Sequence, residues 1–135
     1  MSRQNVVLGA AVGFWGILAA LVASGGAVAQ GAAQSTAQGA RVFAAKCQIC
    51  HSVERAKGAT LAPNLAGVMG RKAGTLPRFS YSPAMVRSNI VWDSANLDAF
   101  LAAPQRVVRG NRMAFAGVPN AKERIDLIAF LKSKK

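Results

Sequence analysis

The stretch Ala44–Val53, AAKCQICHSV, decides how the rest of this chain is read. Cys47, Cys50 and His51 are all the cysteine and histidine the chain contains, and they fall within five consecutive residues. Two thiols at this spacing suit a disulfide oxidoreductase, a zinc half-site or a covalent haem anchor. A structural zinc closes a tetrahedron of four ligands, so these three side chains would need a carboxylate or a second chain. A redox pair of the thioredoxin type follows a strand in a βαβ pattern, and no alternating pattern precedes Cys47. Two core cysteines beside a stray histidine is the bland alternative. C-x-x-C-H itself is the attachment signature of c-type haem, in which both thiols add to vinyl groups and the adjacent imidazole reaches the iron. That reading uses all three residues.

With 135 residues, one domain is the natural count. The start does not read as domain material: after Arg3 there is no charge until Arg41, and positions 6–23 are almost wholly apolar. Ala27-Val28-Ala29 then offers the small-residue arrangement that signal peptidases cut. Residues 1–29 are therefore expected to be a cleaved export signal. A retained membrane anchor is the alternative, because the apolar run approaches spanning length, although Gly9, Gly13 and Gly16 weaken it. Residues 30–37 are expected to be a flexible polar linker and residues 38–135 the domain. The expected location is the periplasm, with membrane attachment only if the N-terminal segment is kept.

From Gln38 onward there are sixteen Lys and Arg against five acids, Glu54, Asp93, Asp98, Glu123 and Asp126. Such a surplus calls for acidic partners. Nucleic acid fits poorly with export, and no binding motif accompanies the charge. An acidic protein surface fits best, and a merely solvated basic face is the plain alternative.

The coarse pattern is helical. Gly39, Phe43 and Cys47 share one helical face. Ser82 offers an N-cap before Pro83. A second helix starts at Asp93 or Ser94, buries Leu97, Phe100 and Leu101, and stops at Pro104. Asn120, with Glu123 three residues on, resembles a capping box ahead of a stripe of Leu127, Ile128 and Leu131. Residues 56–78 and 105–119 are long irregular segments, and loops of that length in a small domain fit the wrapping of a cofactor.

One histidine per chain excludes bis-histidine ligation, leaving methionine, lysine, water or nothing as sixth ligand. Met85 reads as core within a short helix. Met69 stands eighteen residues after His51, and Met113 lies in an irregular stretch between Gly110 and Gly117. Spacing and the flanking glycines favour Met113, with Met69 the second choice.

The segments CQICH, PNLAGVMGRKAGT, FSY, VW, LDAFL, GNRMAFAGV and ERIDLIAFLK, in that order, resemble the class I c-type cytochromes, mitochondrial cytochrome c and its bacterial relatives. The resemblance runs from Gly39 to Lys132. It implies an all-α fold with crossed N- and C-terminal helices and loops wrapped round one covalent haem c, its iron held by His51 and Met113. It further implies that the Pro63 carbonyl orients His51, and that Arg71, Tyr81 and Trp92 hold the propionates. Gly39 and Phe43 match positions that pack against Leu127 and Phe130. Four residues depart from the pattern. Phe100 stands where a tyrosine is often found, Met85 replaces a common asparagine, Ala62 replaces a glycine and Arg109 a proline; none removes a ligand.

The implied function is a monomeric one-electron carrier between respiratory or photosynthetic complexes. Its expected partners are quinol–cytochrome c reductase and a terminal oxidase, met through acidic surfaces. Arg106, Arg109 and Arg112 beside Met113, with Lys46 near the cysteines, would supply the positive side of that contact. A dedicated electron-transfer subunit of a periplasmic dehydrogenase is the alternative. A haem enzyme would want an open iron and distal acid–base groups, for which one histidine and five acids leave little material.

Overall fold

A computed structural model describes residues 26–58 and 61–135, with side chains described from residue 30. Five helices follow one another among the described residues: α1 Gly26–Lys46, α2 Pro83–Arg87, α3 Ser94–Ala102, α4 Pro104–Val107 and α5 Ala121–Ser133. Among the described residues the one β pairing is an isolated antiparallel bridge between Lys72 and Val91. The fold is all-α, and its frame is the packing of the first helix against the last.

Gly39 is what lets those two helices meet. A Cβ built at Gly39 would lie 1.9 Å from the Asp126 carbonyl oxygen and 2.7 Å from the Phe130 Cβ. The backbones therefore touch where any side chain would hold them apart. One turn further along α1, Phe43 sets its ring 5.4 Å from that of Phe130, and Leu127 is completely buried. Asp126, also buried, accepts hydrogen bonds from Ser35 (2.5 Å) and Lys122 (2.7 Å). A buried carboxylate needs such donors; the Lys122 bond lies within α5, and the Ser35 bond ties α5 to the upstream half of α1.

Local chemistry sets the other boundaries. The Ser82 hydroxyl accepts from the Met85 amide, and Pro83 fills the first helical position of α2. Asp93 caps α3 by accepting from the Asn96 amide. Asn120 accepts from the Lys122 and Glu123 amides at the start of α5. The Glu123 carboxylate turns instead towards Lys46, at 3.7 Å, so only half of the expected capping box forms.

Two expectations are corrected. Residues 30–37 are not a loose linker but part of α1. Alanine and glutamine are good helix formers, no proline interrupts the run, and Ser35 has a buried partner in Asp126. Pro104 ends α3 but also opens α4, so Gln105–Val107 is a helical turn and not irregular chain. Proline is as well suited to a first helical position as it is unsuited to an interior one. Most of the expected export signal, residues 1–25, lies outside the described residues. No described helix is long and apolar enough to cross a membrane.

Candidate haem site

Helix α1 does not stop abruptly at Lys46. The Cys47 and Gln48 amides both donate to the Phe43 carbonyl, and the Cys50 and His51 amides donate to that of Cys47. The pentapeptide is thus wound into one helical turn, and residues three and four apart on a turn share a face. This is why the spacing matters: Cys47, Cys50 and His51 are presented together.

They face a cavity of about 660 Å³, within the ~300–1,000 Å³ span of small-molecule and cofactor sites. All eight residues singled out from the sequence line it: Cys47, Cys50, His51, Pro63, Arg71, Tyr81, Trp92 and Met113. Their companions are mainly apolar, among them Phe43, Leu65, Leu97, Phe100 and Leu127. Met85 lines the cavity too, while Met69 packs against the core outside it.

His51 is oriented by a hydrogen bond of 2.7 Å between its Nδ1 and the Pro63 carbonyl. A carbonyl only accepts, so Nδ1 carries the proton and Nε2 keeps its lone pair for a metal. Burial pushes the imidazole pKa below its ordinary value, against the opposing pull of the Pro63 bond. Burial likewise pushes the Cys47 thiol up to about 11, with Lys46 pulling the other way. A redox-active cysteine has the opposite character, a depressed pKa in an electropositive setting.

The loop that supplies Pro63 is fixed by its neighbour. Buried Asn64 donates to the carbonyls of Glu54 and Lys57 and accepts from the Ala66 amide. Arg71 donates to the Asn64 and Ala66 carbonyls, at 2.9 and 3.2 Å. Burial lowers the pKa of its guanidinium and raises that of the Tyr81 phenol, and the two groups partly offset each other's shift. Trp92 is held from both sides: its amide donates to the Arg71 carbonyl, and its ring lies 4.9 Å from that of Phe100.

Gly117, one of the glycines flanking Met113, has a φ of +110° and lies against the Ala102 carbonyl, where a Cβ would stand 2.5 Å away. Of the arginine cluster, only Arg112 reaches the cavity lining, donating to the Ser80 carbonyl at 3.0 Å. Arg106 and Arg109 are exposed on α4 and the turn after it. Sequence reasoning passed over Asn64 and Asn111, whose amides are buried and fully engaged in the loops on either side of the cavity.

An apolar cavity with two thiols, an oriented imidazole and a thioether in its wall, beside polar donors from Arg71 and Tyr81, fits haem and its propionates. Zinc fits less well, since among the described residues no group of three or more His, Cys, Asp or Glu is arranged to hold a metal ion. Fold and site together define a small helical protein built around a covalently held haem.

The chain belongs to the cytochrome c family, whose family model matches residues 36–135. It is 47% identical to cytochrome c of Tetrahymena pyriformis over 95 residues, 70% of this chain and 84% of that one. It is 42% identical to cytochrome c2 of Rhodomicrobium vannielii over 116 residues, covering 86% and 90% of the two chains. Against cytochrome c2 iso-2 of Magnetospirillum fulvum it is 47% identical over 87 residues, 64% of this chain and 90% of that one. The family binds covalently attached haem c with its iron, and with a single attachment pentapeptide this chain is a monohaem electron carrier.

Proposed function

We propose that the chain is an exported, diffusible one-electron shuttle whose haem iron is held by His51 and Met113, running between quinol–cytochrome c reductase and a terminal oxidase. The observation that carries the ligand assignment is the shared cavity wall, which includes His51, with Nε2 available, and Met113, but not Met69. Haem bound there supplies one-electron exchange between ferric and ferrous iron, and a methionine–histidine pair raises its potential. The chain's own residues do the rest. Cys47 and Cys50 would anchor the group, Pro63 keeps Nδ1 of His51 protonated, and Arg71, Tyr81 and Trp92 would hold the propionates. Apolar walls exclude water, which limits reorganisation during transfer.

Export is supported by the basic start, the apolar run and Ala27-Val28-Ala29. Cleavage after Ala29 would leave Gln30 inside α1 as the first residue. Partner choice is supported by the basic excess, with Arg106, Arg109 and Arg112 all exposed. Charge of this kind speeds encounter with an acidic surface and still permits release.

The test is the rate of oxidation by a membrane oxidase as salt is raised. Screening shortens the reach of surface charge to roughly 10 Å at 0.1 M, so the rate should fall. Exchanging Arg106 and Arg109 for glutamate should lower it further at low salt while leaving the visible spectrum unchanged. A rate indifferent to both would remove the case for a shuttle and favour a permanently bound dehydrogenase subunit.

A further inference from the structure

We propose that Asn111 is the positioning residue for the sixth ligand: its buried amide ties the backbone of Met113 to helix α4 and so sets how firmly that side chain stays on the iron. The proposal rests on Met113 being the ligand. Asn111 is 7% exposed, and its side chain points both ways along the loop. Its Oδ1 accepts from the Met113 amide at 2.9 Å. Its Nδ2 donates to the Pro104 carbonyl at 3.1 Å and to the Val108 carbonyl at 2.8 Å.

Those two carbonyls bracket α4, a helix of four residues that Pro104 opens and Val108 caps. A carbonyl oxygen has two lone pairs, so the Pro104 oxygen, which accepts from the Val108 amide, and the Val108 oxygen, which accepts from the Asn111 amide, each take a donor from the Asn111 side chain as well. An amide is suited to this task because it carries an acceptor and two donors on one rigid plane. Threonine has one hydroxyl and can serve one side well but not both. Gln105 completes the brace from α4 itself. Its Nε2 donates to the Asn111 carbonyl at 3.0 Å, and its Oε1 accepts from the Gly110 amide at 3.3 Å.

The consequence concerns dynamics more than stability. Met113 can leave the iron only if its loop moves, and that movement must break the Asn111 amide bonds. Buried donors and acceptors left unmade are costly, so the brace raises the barrier to departure.

Imidazole binding to the ferric holoprotein reads the departure directly, because an added ligand enters only when the methionine is off. Asn111→Ala should speed that binding by about tenfold, the rate equivalent of roughly one hydrogen bond. Exchange of the Met113 amide hydrogen should quicken as well. Asn111→Thr keeps an acceptor for the Met113 amide and should fall between wild type and Asn111→Ala, which also covers the case in which Asn111→Ala fails to fold. Gly39→Ala, which loosens the helix crossing and not the loop, is the control for general destabilisation and should raise the binding rate far less than Asn111→Ala does. If Asn111→Ala or Asn111→Thr binds imidazole at the wild-type rate, or Gly39→Ala accelerates it as much, the positioning role is overturned. Absence of a sulfur–iron charge-transfer band in the wild-type protein would instead overturn the Met113 reading beneath it.

Discussion

Replacing Gly39 by alanine tests the crossing on which the whole site is hung. The added Cβ would sit 1.9 Å from the Asp126 carbonyl oxygen and 2.5 Å from its carbon, and ordinary contact begins at 3.4 Å. Helices α1 and α5 would have to separate by about 1.5 Å to admit it. The obstacle is backbone, which cannot swing aside as a lysine end would. Overpacking of a tight core costs typically ~1–3 kcal/mol, and this case belongs at the upper end because the tilted Phe43–Phe130 ring contact and the burial of Leu127 loosen with it. Alanine returns ~1 kcal/mol of helix propensity, so the net loss should be about 2 kcal/mol. For a domain of this size that lowers Tm by about 10 °C. Gly31, in the same helix, has nothing within 4 Å of its virtual Cβ, so Gly31→Ala should be neutral or slightly stabilising. Thermal and denaturant unfolding of the two holoproteins, followed by far-UV circular dichroism, decide the matter. If Gly39→Ala proved as stable as wild type, the helices would not be in backbone contact and the account of the frame would fail.

Removing either thiol, Cys47→Ala or Cys50→Ala, should leave haem held by one thioether, and the double variant should yield little holoprotein. Haem released from wild type by acidified solvent would contradict covalent attachment through both. Asp126 gives a pH prediction. Hydrogen bonds from Lys122 and Ser35 hold its carboxyl below the ordinary carboxylate range, against the opposing effect of burial. Its stabilisation is therefore fully present above the unfolded value of about 4 and is lost as pH falls through the depressed folded value. Asp126→Asn should unfold at lower denaturant than wild type near neutrality, and the gap should close in acid. A gap that is constant with pH would show that the carboxylate charge plays no part.

Legibility followed the range of the interactions. Ser82, Asp93 and Asn120 were readable as caps because a cap is a contact between residues two or three apart. The attachment turn was readable because its spacing is itself the chemistry. Residues 30–37 read as a linker because their anchor, the bond from Ser35 to Asp126, spans 91 positions, and no large apolar residue marks the segment as packed. Pro104 reads as a stop, which it is for α3, and only the short helix behind it reveals its second role as a start. Asn111 went unnoticed for a related reason: a polar residue in a loop looks exposed until α4 is seen to cover it. The methionines show the same limit. Met85 packs against the core as its short helix suggests but lines the cavity as well, and Met69, the second choice for ligand, packs against the core without lining it.

The most direct test of the account is the far-red spectrum of the ferric protein, recorded with a potentiometric titration for wild type and Met113→Ala. Wild type should show a sulfur–iron charge-transfer band and titrate as one centre taking up one electron. Met113→Ala should lose the band, admit cyanide or water to the iron, and titrate at a lower potential, since the methionine sulfur favours the ferrous state. Survival of the band in Met113→Ala would contradict the account, and Met85, the other methionine in the cavity wall, would then be the ligand.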